Sequence, residues 1–292
     1  MQWILQDFDD ARALASALDR LGHPHSWHKV VPFTGDLIPA PAIIDPDAVL
    51  MFGSYALRHA ARRLGVRPGV IELRPFLDEA AWDGHLLNGS EAVVARLANL
   101  PAALDADSAN GGRRRAEWFV RPVEDGKQIA GRVMADEAIG ALVGRVTALD
   151  PDEVPPSALR HDTVMMLCEP RTILREWRLW VVKDRIVTHS LYREGSRVTY
   201  RNEIDDNALA FARAMVGANP GYAPAYVMDV CRTPEGMALL ETNCINAAGL
   251  YAADPLALAA AMGGLGGGGA RFASDGAARS EPRDRGDPRS TG

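Results

Sequence analysis

Two carboxylates and one amide are spaced so that a single hairpin would bring them together. Asp229 lies in an apolar run before Thr233-Pro234-Glu235-Gly236, and Glu241 and Asn243 lie in the run after it. Proline presets the first turn position and glycine accepts the left-handed one, which predicts a three-residue loop with a bulge. With Thr233 facing Met237, the two acids lie directly opposite each other. The two-residue side-chain period then puts the amide on the same face.

Directly opposed hairpin residues have Cβ atoms roughly 4.5–5.5 Å apart, so two carboxylates there repel each other unless a cation lies between them. A hard divalent cation such as Mg²⁺ takes oxygen ligands and often shares them with phosphate groups. Asp229, Glu241 and Asn243 therefore predict the metal end of a nucleotide site. The alternative is an ordinary hairpin with a solvated acidic face. The other face belongs to a core, since it carries Tyr226, Met228, Val230 and Leu240.

A second hairpin, predicted upstream, carries two cations. Residues 118–123 form its first strand and residues 127–131 form its return. With Val123 opposite Lys127, Arg121 and Lys127 project from the same face. A guanidinium and an ammonium group side by side suit a polyphosphate. The alternative is that both side chains extend into water.

A third hairpin, of residues 176–182 and 185–192, gathers charge on one face. Glu176 and Arg178 alternate with apolar residues, so their side chains share a face. They either serve a ligand or pair with each other on an exposed surface. If Lys183-Asp184 is a two-residue loop, His189 faces Arg178 and either lines the site or is a structural histidine.

The first hundred residues alternate strand and helix patterns, which predicts a small α/β domain with a mostly parallel sheet. Gly53-Ser54, at a strand-to-helix turn, is either an anion-binding turn or a plain tight turn. The predicted strands are 3–6, 26–32, 48–52 and 70–73, and the predicted helices are 9–21, ended by Gly22, and 55–64, ended by Gly65.

Beyond residue 100 the pattern changes to long strands in hairpins, which predicts a second domain of α+β type. A predicted helix at 91–97 leads into it, and the polar composition of residues 105–115 predicts a loop. The division is 1–100 for the amino-terminal domain, 101–262 for the second domain and 263–292 for a glycine-rich, disordered tail. The remaining predicted elements of the second domain are a strand at 163–168 and helices at 136–149, 207–216 and 255–262.

Composition limits the class of protein. A chain of 292 residues without an apolar run of transmembrane length, and without a signal-peptide start, is expected to be cytoplasmic. The net charge of −6 argues against broad nucleic-acid binding. Three cysteines without metal-type spacing are expected to be small buried residues. No membrane partner is expected, and the oligomeric state is open.

Several of these motifs, taken in order, resemble the ATP-grasp superfamily. Within it they look like the clade named for two arginines and a lysine. The resemblance covers roughly residues 45–258, and the metal hairpin is its most specific part. The motifs are Phe119-Val120-Arg121-Pro122, Glu169-Pro170, Glu176-Trp177-Arg178, and Asp229 with Glu241-Thr242-Asn243.

The resemblance implies an ATP-grasp fold with a small pre-ATP-grasp-like α/β domain in front, and ATP between two lobes of the second domain. Adenine would lie against the strand that ends at Cys168-Glu169. Phosphate would meet Arg121, Lys127 and Arg178, with Glu176 orienting the last of these. The resemblance thus assigns catalytic roles to Arg178 and Lys127, cofactor contacts to Arg121, Lys127, Glu169, Glu176 and Arg178, and Mg²⁺ ligation to Asp229, Glu241 and Asn243.

The implied chemistry is a ligase reaction. ATP and Mg²⁺ activate a carboxylate as an acyl phosphate, which an amine or another nucleophile then attacks, on a peptide or a small amino acid. Positioning and charge neutralisation suffice for the phosphoryl step, so no protein nucleophile is required. Two alternatives stay open: a kinase that stops at phosphate transfer, and a non-catalytic nucleotide-binding or sensing module.

Overall fold

Strand pairing in the computed structural model gives three β-sheets. The structure describes residues 1–31, 34–89, 91–109, 115–124, 129–155 and 158–267. Among the helices in these ranges, none combines the length and apolar content that crossing a bilayer requires. The predicted disordered tail lies outside the described residues from 268 onward, and residues 264–267 form a short 3-10 turn.

The first sheet is mostly parallel, as predicted. Its order is β3-β2-β1-β4-β5, with β1 pairing in parallel with β2 and β4, and with a short antiparallel pair at the β3 edge. The strands are β1 (Gln2–Gln6), β2 (His25–Val30), β3 (Leu37–Ile38), β4 (Val49–Phe52) and β5 (Pro68–Gly69).

Helices α1 (Asp9–Leu21) and α2 (Leu57–Leu64) cover opposite faces of this sheet. Side chains alternate along β1, so Leu5 packs with α1 and Ile4 packs with α2. Both helices end where a glycine takes the left-handed conformation. The predicted stop residues are therefore confirmed: Gly22 has φ 68° and Gly65 has φ 63°.

The predicted strand at 70–73 is wrong. The strand next to β4 on this side is β5, which ends at Gly69, and residues 70–73 have no regular secondary structure. They are held instead by a side chain from a distant part of the chain, because the backbone N–H of Ile71 donates to Asn246 Oδ1 at 2.9 Å.

The second sheet is antiparallel, in the order β6-β9-β7-β8. One face carries α3 and α4 and forms a core with Trp118, Ile139 and Leu167. Arg121 alternates with Trp118 and Val120 and so lies on the opposite, helix-free face. The elements are β6 (Val93–Arg96), β7 (Glu117–Pro122), β8 (Arg132–Ala135), β9 (Val164–Cys168), α3 (Leu100–Ala109) and α4 (Asp136–Thr147).

Three predictions in this region differ from the structure. Residues 93–96 form a strand rather than a helix, because Val93 and Ala95 pack on the core while Val94 faces solvent. Residues 105–109, predicted as part of a loop, belong to α3. The strand that pairs with β7 after the turn is β8, with Arg132 opposite Val120, and residues 129–131 precede it. Lys127 lies outside the described residues.

The third sheet is antiparallel, in the order β12-β11-β10-β13-β14. One face packs on α5, while the other face packs on α6, α1 and the first sheet in a single core. The elements are β10 (Arg175–Val182), β11 (Arg185–Glu194), β12 (Arg197–Arg201), β13 (Ala225–Thr233), β14 (Gly236–Asn243), α5 (Asp206–Ala218) and α6 (Pro255–Gly263).

The α/β plus α+β architecture is thus confirmed at the level of the sheets. The domain limits 1–100, 101–262 and 263–292 remain a prediction, and β6 lies before residue 101 although it pairs with β9. The three cysteines are free and buried, as expected. Burial raises the pKa of the Cys168 and Cys231 thiols to about 12, so neither is an ionised nucleophile near neutral pH.

Candidate functional site

The hairpin of β13 and β14 has the predicted pairing of its acids but a different turn. The loop contains two residues, because Thr233 pairs with Gly236 and Met237 pairs with Arg232. The predicted contact between Thr233 and Met237 is therefore wrong. The two-residue loop alone would place Leu240 opposite Asp229.

A β-bulge corrects the register further along the hairpin. Val230 pairs with Leu239, and the next pair is Asp229 with Glu241, so Leu240 is the additional residue. The two acids consequently lie opposite each other, as predicted. The bulge also turns the polar end of β14 onto the face that carries Asp229.

The three predicted metal ligands converge at this point. Asn243 Nδ2 donates to Glu241 Oε1 at 2.8 Å and lies 3.3 Å from Asp229 Oδ2. Asp229 is completely buried and Asn243 is 2% exposed. The described part of the chain has no group of three His, Cys, Asp or Glu side chains placed to hold a metal ion. The predicted set contains only two such residues, and its third member, Asn243, is an amide.

Arg178 is the partner of Asp229. Its Nε and Nη2 donate to the two carboxylate oxygens at 2.9 and 2.7 Å, a bidentate pair between the neighbouring strands β10 and β13. Burial raises the pKa of Asp229 to about 6, and the guanidinium opposes that rise. Burial lowers the pKa of Arg178, but Asp229 outweighs it and the net pKa is raised, so this arginine stays charged.

Arg121 is the partner of Glu241. Its Nη1 donates to Glu241 Oε2 across the space between the second and third sheets. Its guanidinium carbon lies 5.3 Å from the centre of the Phe76 ring. Two arginines, each from a different strand, therefore lie beside the opposed acids, and the predicted metal ion there stays a prediction.

Glu176 lies on the same face of β10 as Arg178, as predicted, but the two side chains do not pair. Glu176 is 4% exposed and Arg178 is 8% exposed, so the alternative of an exposed mutual pair is wrong. Glu176 instead forms an ion pair with Arg193, with 3.3 Å between Glu176 Oε1 and Arg193 Nε. Burial raises the pKa of Tyr192, and the nearby Asp229 and Glu176 raise it further.

Glu169 is not part of the acid cluster. It follows β9, its side chain is half-exposed, and it pairs with Arg115 at 3.7 Å and Arg171 at 3.6 Å. Beside it, on the face of the second sheet opposite α3 and α4, Val123, Met166 and Cys168 form a small buried apolar cluster against which Leu77 and Phe119 pack.

A stack of three tyrosines beside Arg178 was not predicted from the sequence. The Tyr251 ring lies between Tyr200, at 4.7 Å, and Tyr192, at 5.4 Å. Its hydroxyl oxygen accepts from Arg178 Nη1 at 3.3 Å. The three residues lie on β11, on β12 and after β14, so no local spacing signals the stack.

One other sequence expectation is wrong, and one pair of alternatives is decided by the structure. A bulge at Val187 places Ser190 opposite Arg178 and His189 opposite Leu179, so His189 does not face the arginine. The backbone N–H groups of Gly53 and Ser54 already donate to Asn246 O at 2.8 Å and Gln6 Oε1 at 2.7 Å. The plain tight turn is therefore observed there.

A cavity of 380 Å³ lies beside the edge strand β14. Its wall includes Thr242, whose side chain is on the face of β14 opposite Glu241 and Asn243 and contacts Tyr222. The opposite wall is formed by α2 and the turn before it. Phe76, also in the wall, connects the cavity to the acid cluster, because its ring meets Arg121, the partner of Glu241.

Solved structures with the same fold include several ATP-grasp proteins. A D-cycloserine synthetase, DcsG, has 14% identity and a TM-score of 0.56, over 90% of this chain and 99% of that chain. An ATP-grasp RimK domain protein from Sphaerobacter thermophilus DSM 20745 has 16% identity and a TM-score of 0.52, over 88% and 98%. The ATP-grasp ligase PsnB, complexed with precursor peptide PsnA2 and AMPPNP, has 14% identity and a TM-score of 0.51, over 91% and 97%.

At these identities the likeness establishes the fold. No curated protein matches the chain in a sequence comparison. A family model does match, over residues 63–262, and it describes family 3 of the ATP-grasp domains in the clade named for two arginines and a lysine. This range is more than half of the 292 residues. The chain therefore belongs to that third family of the two-arginine-and-lysine clade of ATP-grasp domains.

Proposed function

We propose that this protein is an ATP- and Mg²⁺-dependent ligase that activates a carboxylate for attack by an amine or another nucleophile. The observation that carries the proposal is the convergence of Asp229, Glu241 and Asn243 with two arginines between the second and third sheets. Family membership and the ligases among the structural relatives support the same class.

The donor set fits a magnesium ion. Two carboxylates and an amide offer hard oxygen ligands, which Mg²⁺ prefers, and Asn243 would present its amide oxygen in place of the Nδ2 that now faces the acids. Asp229, Glu241 and Asn243 would hold the ion. When bound, it supplies positive charge beside the transferring phosphoryl group. In this structure Arg121 neutralises Glu241. If the Glu241 carboxylate bound Mg²⁺ instead, the Arg121 guanidinium would be available to bind phosphate.

The nucleotide is proposed to lie between the second and third sheets. The apolar cluster of Val123, Met166 and Cys168 suits one face of an adenine ring, with Glu169 at its edge. Arg121 lies next to that cluster on β7 and would meet the outer phosphates. Lys127 is proposed as the second phosphate contact.

Arg178 and Glu176 have supporting roles in this proposal. Arg178 holds both oxygens of Asp229, which keeps that carboxylate oriented toward Asn243. Its remaining donors point to the tyrosine stack, and a phosphate contact from Nη1 would replace the bond to Tyr251. Glu176, through Arg193 and Tyr192, fixes the wall next to Arg178.

The proposed reaction has two steps. A carboxylate oxygen of the substrate forms a bond to the γ-phosphorus while the bond to ADP breaks. The nucleophile then bonds to the carbonyl carbon, inorganic phosphate leaves, and a proton is lost from the amine. The relatives include a cycloserine synthetase and a ligase bound to a precursor peptide, so small and peptide acceptors are both compatible with the fold.

Hydroxylamine tests the proposal without knowledge of the natural nucleophile, because it converts an acyl phosphate to a hydroxamate. We expect ADP release and hydroxamate formation that require Mg²⁺, ATP and a carboxylic acid. A stable phosphorylated product without hydroxamate would indicate a kinase. Nucleotide binding without turnover across a broad acid panel would indicate a sensing module.

Binding provides a second test of the nucleotide's placement. Arg121→Ala should weaken ATP roughly tenfold to a hundredfold, since charge-assisted hydrogen bonds contribute about 1.5–3 kcal/mol. AMP, which lacks the outer phosphates, should lose much less. Equal losses for both nucleotides in calorimetry would refute the contact.

A further inference from the structure

The cavity beside β14 has a polar outer wall that the proposed nucleotide site does not use. Its inner end is formed by Phe76, Thr242 and Cys244, and the Phe76 ring lies 5.3 Å from the guanidinium carbon of Arg121, the partner of Glu241. Its outer end is formed by α2 and the turn before it, with Tyr55, Arg58 and Arg62 in the wall. A small molecule in the cavity would therefore have one end at Phe76, beside Arg121, and the other against the arginines of α2.

Arg58 and Arg62 lie four residues apart on α2, so they are neighbours on one face of the helix. Arg62 is neutralised by an ion pair with Glu72. Arg74, across the cavity, is neutralised by Glu79, with 2.7 Å between Arg74 Nε and Glu79 Oε1. Nearby acids thus neutralise both Arg62 and Arg74.

Arg58 is different. Its guanidinium carbon lies 3.9 Å from the centre of the Tyr55 ring, a cation–π contact that fixes its position without neutralising its charge. Its Nε is buried and has no hydrogen-bond partner among the described residues. Glu124, the other acid in the wall, is exposed and forms no ion pair with Arg58 within the part of the chain that the structure describes.

The electrostatic effect of this arrangement is visible at a neighbouring side chain. Burial lowers the pKa of His59, and Arg58, Arg62 and Arg63 lower it further. The helix therefore presents excess positive charge beside the cavity. A guanidinium held by its stem and its ring contact, with open donors, is suited to bidentate binding of a carboxylate.

We infer that Arg58 binds a second carboxylate of the acid substrate. The substrate is then a dicarboxylic acid, or an amino acid that carries a side-chain carboxylate in addition to its α-carboxylate. This inference rests on the proposed function for the reacting end alone. The reacting carboxylate lies near Phe76, beside Arg121, and its oxygen takes the γ-phosphoryl group from ATP as ADP leaves. The carboxylate on Arg58 is unchanged by the reaction and sets the substrate's orientation.

The test compares succinate, glutarate, adipate and L-glutamate with their monoamides, which keep the shape and lose one charge. Binding is measured by calorimetry in the presence of Mg²⁺ and AMPPNP, and turnover is measured by hydroxylamine trapping. We expect at least one diacid to bind wild-type protein roughly tenfold more tightly than its monoamide. Arg58→Ala should remove that preference, and Arg58→Lys should restore part of it.

Arg63→Ala is the matched control. Arg63 lies on the same helix and carries the same charge, but it pairs with Asp36 at 2.8 Å and does not line the cavity. This variant should keep the diacid preference. Unchanged Mg²⁺-AMPPNP affinity in Arg58→Ala shows that the nucleotide site is intact.

Equal binding of diacids and monoamides by wild-type protein overturns the inference, and so does a preference that survives Arg58→Ala. Failure of the proposed ligase function has a different signature. In that case diacids still bind in an Arg58-dependent way, but neither ADP nor hydroxamate is formed.

Discussion

Each carboxylate of the site is held by an arginine from another strand, and this pairing decides how the acids can be altered. Arg178 holds Asp229 within the third sheet, and Arg121 holds Glu241 from the second sheet. Removing one partner of a buried ion pair leaves the other charge uncompensated. An informative substitution must therefore remove charge while keeping a hydrogen-bond acceptor.

Glu241→Gln meets that condition. The amide oxygen can still accept from Arg121, so the free protein should lose only about 1 kcal/mol of unfolding free energy. If Glu241 binds Mg²⁺ as proposed, the ion loses a charged ligand, so most of the stabilisation by Mg²⁺-ATP should disappear. Thermal denaturation with and without Mg²⁺-ATP measures both quantities. Glu235→Gln, in the exposed loop of the same hairpin, is the control, and equal nucleotide-induced shifts in Glu241→Gln and wild type would exclude Glu241 as a ligand.

His189 predicts a pH dependence of stability that is independent of the site. Burial lowers its pKa below the ordinary value of 6.5, so below that pH the unfolded chain binds a proton that the native protein excludes. Stability should therefore fall as the pH drops from about 6.5 toward the lowered pKa. Urea denaturation at several pH values in this range gives the unfolding free energy at each pH. That free energy should change less steeply with pH in His189→Gln than in wild type.

His59 also has a lowered pKa, so part of the slope should persist in His189→Gln. In the double variant with His59→Gln, the unfolding free energy should depend on pH still less. If the unfolding free energy changed with pH equally in wild type and both variants, neither histidine would be the group whose protonation the native protein opposes.

The acids of the site could be predicted from the sequence, but their partners could not. Asp229 and Glu241 are joined by one hairpin, so local pairing brings them together. Arg121 is 120 residues from Glu241, and Arg178 is 51 residues from Asp229. Contacts at such separations depend on how the sheets pack, which side-chain periodicity does not specify.

Among the elements, the long helices were predictable because their ends carry a chemical signal. Gly22 and Gly65 end α1 and α2 in the left-handed conformation. The short strands β5 and β6 carry no such signal, and two to four residues are too few for a pattern to distinguish strand from helix. The bulge at Leu240 was also missed, since the turn residues fix the start of a register but not a later irregularity.

Asn246 is the residue through which the loop after β14 holds the first sheet. It is 1% exposed, its Nδ2 donates to Met51 O at 2.6 Å and Gly69 O at 3.2 Å, and its Oδ1 accepts from the N–H of Ile71. Asn246→Ala leaves these backbone groups without partners. We expect a loss of about 3 kcal/mol in unfolding free energy, from buried groups that cost about 1–3 kcal/mol each.

Urea denaturation measures that loss, with the exposed Asn202→Ala as the control. A change in Asn246→Ala no larger than in Asn202→Ala would show that the loop is not held through this side chain. Because Ile71 lines the substrate cavity, the variant should also weaken any ligand bound there.

At the scale of the whole molecule, the three sheets fall into two packing units. The first and third sheets share one apolar cluster, to which Leu14, Trp180 and Leu258 contribute. The second sheet has its own cluster with α3 and α4. The Arg121–Glu241 pair and the proposed nucleotide site lie between these two units.

This division predicts two separable units of unfolding. Leu14→Ala and Ile139→Ala each remove a fully buried side chain, at a cost of about 2–5 kcal/mol. Hydrogen exchange measured by mass spectrometry should show lower protection of β1 and β10 together in Leu14→Ala, with β7 and β9 unchanged. Ile139→Ala should show the reverse, because its cavity opens in the second core alone.

Hydrogen exchange in the presence of Mg²⁺-ATP tests the proposed site between the two units. A ligand bound between the two units stabilises both, so it should raise protection in β7 and β9 as well as in β13 and β14. Glu241→Gln should lose the effect on both units at once, because the ion it helps to bind joins them. Uniform loss of protection in either core variant without nucleotide would instead show that all three sheets unfold as one, and the division into two packing units would be wrong.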